Sequence, residues 1–68
     1  MITCYDFLMK RTVWINPRCV ISVEFRKDAT GKNAEIHITG APFMIKVKEN
    51  AKEIEEIKEF FENVKEEV

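Results

Sequence analysis

Glycine, proline and cysteine are scarce: two of each stand in 68 residues, with one histidine and one tryptophan. So little glycine and proline excludes a collagen-like or low-complexity chain. Two cysteines are too few for the disulfide framework of a small secreted scaffold, and Cys4 and Cys19 form neither a CxxC pair nor a metal-ligand spacing with histidine. Two reduced, half-buried thiols are the preferred reading, because free cysteine behaves as a small hydrophobe. A single bridge between them stays open. The lone His37 excludes a metal cluster or dyad that needs a second histidine, although a Cys–His pair through Cys4 or Cys19 stays open. A surface-facing strand histidine with no specific task is the simpler reading. No catalytic residue, cofactor or metal is expected.

Long apolar runs are missing too, and none approaches the ~20 residues that span a bilayer. The first residues carry no basic leader followed by an apolar core, so a cytoplasmic protein without membrane contact is expected. Gly31-Lys32 does not make a phosphate loop. That motif needs glycine five residues earlier and Ser or Thr after the lysine, where Arg26 and Asn33 stand.

What is present is strong periodicity. From Asn50 to Val68 the chain reads as one amphipathic helix, with Ile54, Ile57, Phe61, Val64 and Val68 spaced to form a single stripe. Asn50 is the expected N-cap, with Glu53 three residues on. Ahead of it, Ile2–Met9, Thr12–Ile15, Val20–Lys27, Ala34–Thr39 and a segment from Phe43 to Lys48 read as strands. Lys10-Arg11, Asn16-Pro17, the Asp28–Asn33 cluster and Gly40-Ala41-Pro42 separate them. The expected fold is a single α+β domain, β-β-β-β-β-α, with a curved antiparallel sheet of about five strands packed on one C-terminal helix. Ile21, Val23, Phe25, Ile36, Ile38, Phe43, Ile45 and Val47 are the expected inward positions. A two-residue turn at Lys10-Arg11 would set Phe7 opposite Trp14 and Tyr5 opposite Asn16.

A chain this short buries only ~60% of the surface its unfolded form exposes, so association into a homo-oligomer is the expected aid to stability. Net charge is −1 but divided: residues 1–50 carry eight basic and five acidic side chains, residues 51–68 three and seven. The sheet half is mildly basic and the helix acidic. Three sets of residues can carry a binding function. Tyr5, Phe7 and Trp14 form an expected aromatic patch, and Phe60 stands beside the helical stripe; these suit a protein interface or a second copy. The same aromatics, with Arg11, Arg18 and Arg26, could stack unpaired bases of a single-stranded nucleic acid. Glu55, Glu59 and Glu62 could imitate nucleic acid on a basic partner, although a solvated helix face explains them more simply.

Two segments carry a family likeness. Trp14-Ile15-Asn16 through Val20-Ile21-Ser22-Val23-Glu24, and Ile36-His37-Ile38-Thr39-Gly40 through Val47-Lys48-Glu49-Asn50 into the helix, resemble the FlbD-like small proteins of bacterial flagellar operons and similar phage proteins. The first hairpin departs from that family, which tends to have Asn-Gly where Met9-Lys10-Arg11 stands here. The resemblance implies a non-enzymatic accessory protein with no catalytic residues to carry over. The expected function is therefore a protein-binding or regulatory module that self-associates, with a nucleic-acid binder or a phage-type inhibitor as alternatives.

Overall fold

The computed structural model describes residues 1–42 and 44–66, the last three by their backbone only. Five antiparallel strands precede one helix: β1 (Ile2–Asp6), β2 (Arg11–Ile15), β3 (Val20–Asp28), β4 (Gly31–Ile38), β5 (Met44–Lys48) and α1 (Lys52–Glu66). The fold is α+β, and the strands are divided between a two-stranded sheet, β1-β2, and a three-stranded sheet, β3-β4-β5, where a single curved sheet was expected. Phe43 and Val68, and the side chain of Val64, lie outside the described residues.

The first hairpin closes earlier than Lys10-Arg11 suggests. Asp6 pairs with Arg11, and Phe7 to Lys10 form the turn, with Lys10 at φ +54. The reason is the Asp6 carboxylate, whose Oδ1 accepts the backbone N–H groups of Leu8 and Met9 at 3.2 and 3.3 Å. An aspartate that bonds its own following backbone fixes a turn whatever the later residues prefer. Thr3 therefore faces Trp14 and Tyr5 faces Thr12, replacing the expected Phe7–Trp14 and Tyr5–Asn16 pairs. Ile2, Cys4 and Ile15 turn inward and are buried.

Asn16 accepts the backbone N–H of Arg18 at 3.0 Å and opens a 3-10 turn over Pro17–Cys19. Pro17 suits that first position because its missing N–H would have no partner there. In β3 the ladder slips between Val20 and Ser22, a bulge that leaves Ile21 opposite no residue of β4. Val20 is buried and Ile21 is left largely exposed, which corrects the buried place expected for Ile21. Simple alternation assumes an unbroken ladder, and a bulge breaks it. The β3-β4 turn is tighter than the Asp28–Asn33 cluster implied: Asp28 pairs with Gly31, whose φ is +106. Asp28 Oδ1 holds this turn by accepting Thr30 N, Thr30 Oγ1 and Asn33 Nδ2 at 2.8, 2.6 and 2.9 Å.

The two sheets share one core, formed by Ile2, Cys4, Ile15, Val20, Ala34, Ile36, Ile45, Val47 and Ile57. Phe7 donates its backbone N–H to the carbonyl of Lys46 at 3.0 Å, so the end of β1 docks on the edge of β5. The helix begins one residue later than expected. Asn50 lies in the preceding turn, and Ile54 N–H bonds the carbonyl of Ala51. Glu53 does not bond back to the helix start; its Oε2 accepts the outward N–H of Tyr5 at 3.2 Å. That bond tethers the helix to β1. Phe25, although on the core side of β3 opposite Ala34, is 60% exposed, which corrects the inward place expected for it.

Candidate binding surfaces

An open, mostly apolar groove of about 490 Å³ lies between α1 and β3. Its floor is Val20 and Ile57, both buried, and its walls are Ile21, Phe25 and Phe61. Lys58 and Glu62 stand among the groove residues. Phe61 belongs to the expected helical stripe, yet the sheet covers it only in part. β3 is also an edge strand, hydrogen-bonded to β4 alone among the described strands. An edge of nine residues beside an apolar groove is a place where another chain can add backbone and side-chain contacts together.

The outer face of the first hairpin carries Tyr5, 52% exposed, and Trp14, 75% exposed, at diagonal positions of the ladder. The third aromatic expected in this patch, Phe7, lies elsewhere, and Phe60 stays on the helix. Phe7 sits in the turn with the Lys48 ammonium 4.3 Å from its ring centre, a cation–π contact. Phe60 is half-buried on the helix and meets Phe61 edge to face at 5.5 Å.

The three arginines do not gather around Tyr5 and Trp14. Arg11 Nε donates to the buried Asp6 carboxylate at 3.3 Å, Arg18 lies in the 3-10 turn, and Arg26 belongs to β3. Glu55, Glu59 and Glu62 are exposed along the helix, as a solvated face requires.

A polar cluster occupies the face of the three-stranded sheet that points away from the core. Arg26 Nε donates to Glu35 Oε1 at 2.9 Å, and its terminal nitrogen to Glu24 Oε2 at 3.0 Å. Those contacts raise the Arg26 pKa further, the hydrogen bond it donates to Glu24 first and the charge of Glu35 next. His37 points its Nε2 at the same carboxylates, 3.9 Å from Glu24 Oε1 and 4.0 Å from Glu35 Oε1. This Nε2 is buried and has no hydrogen-bond partner among the described residues. Glu24 and Glu35 are direct cross-strand partners, and His37 is two residues beyond Glu35. The sequence reading missed this cluster. Its signal was the β3-β4 turn: once Asp28 pairs with Gly31, counting back sets Glu24 opposite Glu35.

Nearby, Asp28 Oδ2 holds the Lys46 ammonium at 2.6 Å. That bond, with those from the Thr30 hydroxyl and N–H, keeps the Asp28 carboxyl far below its ordinary value. Cys4 and Cys19 are both free thiols. No helix among the described residues is long and apolar enough to cross a membrane. Comparison with family models, curated proteins and solved structures returns no match.

Proposed function

We propose that this chain is a non-enzymatic protein-binding module that works as a homodimer, joined through β3 and the groove beside it. The observation that carries the reading is the continuous apolar surface of Ile21, Phe25 and Phe61 along an edge strand with no neighbour on its outer side among the described residues. Exposed apolar patches next to an unpaired edge are the usual sites of protein association.

A second copy suits the surface because β3 is complementary to itself. An antiparallel β3–β3 pairing that sets Phe25 opposite Phe25 sets Glu24 opposite Arg26 of the second copy, twice over by symmetry. Opposite charges directly across an antiparallel pair stabilise that register, and aromatic pairs add to it. The pairing turns two three-stranded sheets into one of six and brings the two grooves together. It also supplies buried apolar area that a 68-residue chain lacks on its own. Surface complementarity is the mechanism, and the role that follows is accessory or regulatory.

Solution mass by light scattering tests this with wild type, Phe25→Glu and Trp14→Ala. Wild type and Trp14→Ala are expected at twice the 8.0 kDa chain mass. Phe25→Glu is expected at the monomer mass with an unchanged circular dichroism spectrum, since Phe25 is exposed in the single chain. A monomeric wild type overturns the reading. A dimer that survives Phe25→Glu but dissociates in Trp14→Ala moves the interface to the first hairpin and overturns the groove.

A further inference from the structure

The polar face of the three-stranded sheet offers a site apart from the groove, sharing only Glu24 and Arg26 with the charge pairs of the proposed dimer register. Glu24, Glu35 and His37 each present one donor atom, and these atoms lie within 4.8 Å of one another. We propose that Glu24, Glu35 and His37 form a binding site for a divalent transition-metal ion of the zinc class, with His37 Nε2 and one oxygen of each carboxylate as ligands.

Three observations converge on it. The first is the orphaned imidazole nitrogen: His37 Nε2 is buried, aimed between two carboxylates and bonded to nothing described. A buried polar atom without a partner costs free energy, and an ion in the gap is one of the few remedies. The second is spacing. Zinc bonds nitrogen and carboxylate oxygen at about 2.0–2.2 Å, so tetrahedral ligand atoms stand roughly 3.3 Å apart. The observed 3.9 and 4.0 Å contract to that with shifts of a few tenths of an ångström. The third is rigidity. Glu35 and His37 are two residues apart on β4, Glu24 is directly across on β3, and Arg26 holds a carboxylate oxygen of each glutamate. On Glu24 it holds Oε2, leaving Oε1 toward His37, and on Glu35 it holds the Oε1 that faces His37, so Arg26 orients both carboxylates as hydrogen-bond donors around metal sites do.

The donor set decides the class of ion. Imidazole with two carboxylates favours zinc and its neighbours over magnesium or calcium, which take oxygen alone. Three protein ligands leave a fourth position for water or for a donor from another molecule. Charge is compatible: two carboxylates and one guanidinium leave a net −1 for the ion to meet.

The test is calorimetric titration of the full chain with Zn²⁺, followed by the ring ¹⁵N resonances of His37. Wild type is expected to bind one ion per chain with a shift at Nε2. His37→Gln and the exposed Glu24→Gln are each expected to weaken binding at least ~10-fold, the scale at which even supporting residues act on metal sites. Cys19→Ser is expected to leave it unchanged. Absence of saturable binding overturns the site, as does binding that persists undiminished in Glu24→Gln. Binding abolished by Cys19→Ser assigns the ion to the thiol and overturns it equally. All three ligands come from one chain, so a monomeric wild type that still binds zinc rejects the dimer and keeps the site.

Discussion

The Asp6 carboxylate and the backbone N–H of Lys46 stand 40 residues apart in the chain and 3.4 Å apart in space. The same oxygen accepts from Leu8 and Met9, and the other from Arg11. One fully buried side chain thus closes the first hairpin and attaches it to β5. Replacing it orphans several donors at once, and each buried donor left unpaired costs about 1–3 kcal/mol. Asp6→Ala is expected to destabilise the chain by about 2–4 kcal/mol, and Asp6→Asn, which keeps one acceptor, by less. Urea unfolding followed by circular dichroism checks the order.

Asp28 gives the fold a sensitivity to acid. Its folded pKa lies below the ordinary 3.8, through the Lys46 hydrogen bond first and the Thr30 hydroxyl and N–H next. A group with a depressed folded pKa contributes stability above its unfolded value and loses it as pH falls through the folded one. The midpoint of thermal unfolding is therefore expected to drop as pH falls below 3.8. Asp28→Asn should have a lower midpoint at neutral pH and converge with wild type in acid. Parallel curves at all pH values would remove Asp28 as the source.

The two thiols should differ in reactivity. Burial, then the charges of Glu53 and Glu56, push the Cys4 pKa up from 9.0 to about 12. The thiolate is the reactive form, so Cys4 is inert in the folded chain at neutral pH. Cys19 is partly exposed. Native protein is expected to react with a thiol reagent at one site, and denatured protein at two. Modification of both in the native state would show that β1 opens readily. The raised Cys4 pKa also predicts stability lost as pH rises above 9.0, where only the unfolded thiol ionises.

Element type was legible because alternation and helical spacing are local properties. Val23 with Phe25, Ile36 with Ile38, and Ile54 with Ile57 each announce their element. Register was not legible, because it depends on side chains that act across turns. Asp6 shifts the first hairpin away from Lys10-Arg11, and the bulge at Ile21 exchanges that residue for Val20 in the core. The binding surfaces suffered most. The groove lies beside a helix that Glu53 ties to Tyr5, a bond between residues 48 apart that no periodicity encodes. The Glu24–Glu35–His37 cluster was within reach, since it needed only the β3-β4 turn placed correctly.

Ile21 and Ile36 separate the surface from the core most sharply. Ile36 is fully buried, whereas Ile21 is 67% exposed at the bulge. Truncating a buried isoleucine to alanine costs about 2–5 kcal/mol. Domains carry roughly 0.05–0.15 kcal/mol of stability per residue, so Ile36→Ala removes a large share of what a chain this short has. Ile21→Ser, outside such packing, is expected to change the stability of the single chain by no more than about 0.5 kcal/mol. In a dimer the two residues report differently. An associating chain has an unfolding midpoint that rises with concentration, because partner binding stabilises the folded form by mass action. Ile21→Ser should flatten that dependence while leaving the dilute limit in place. Ile36→Ala should lower the midpoint at every concentration. A concentration dependence that Ile21→Ser leaves intact would exclude the bulge from the contact and confine the interface to Phe25 and the helix.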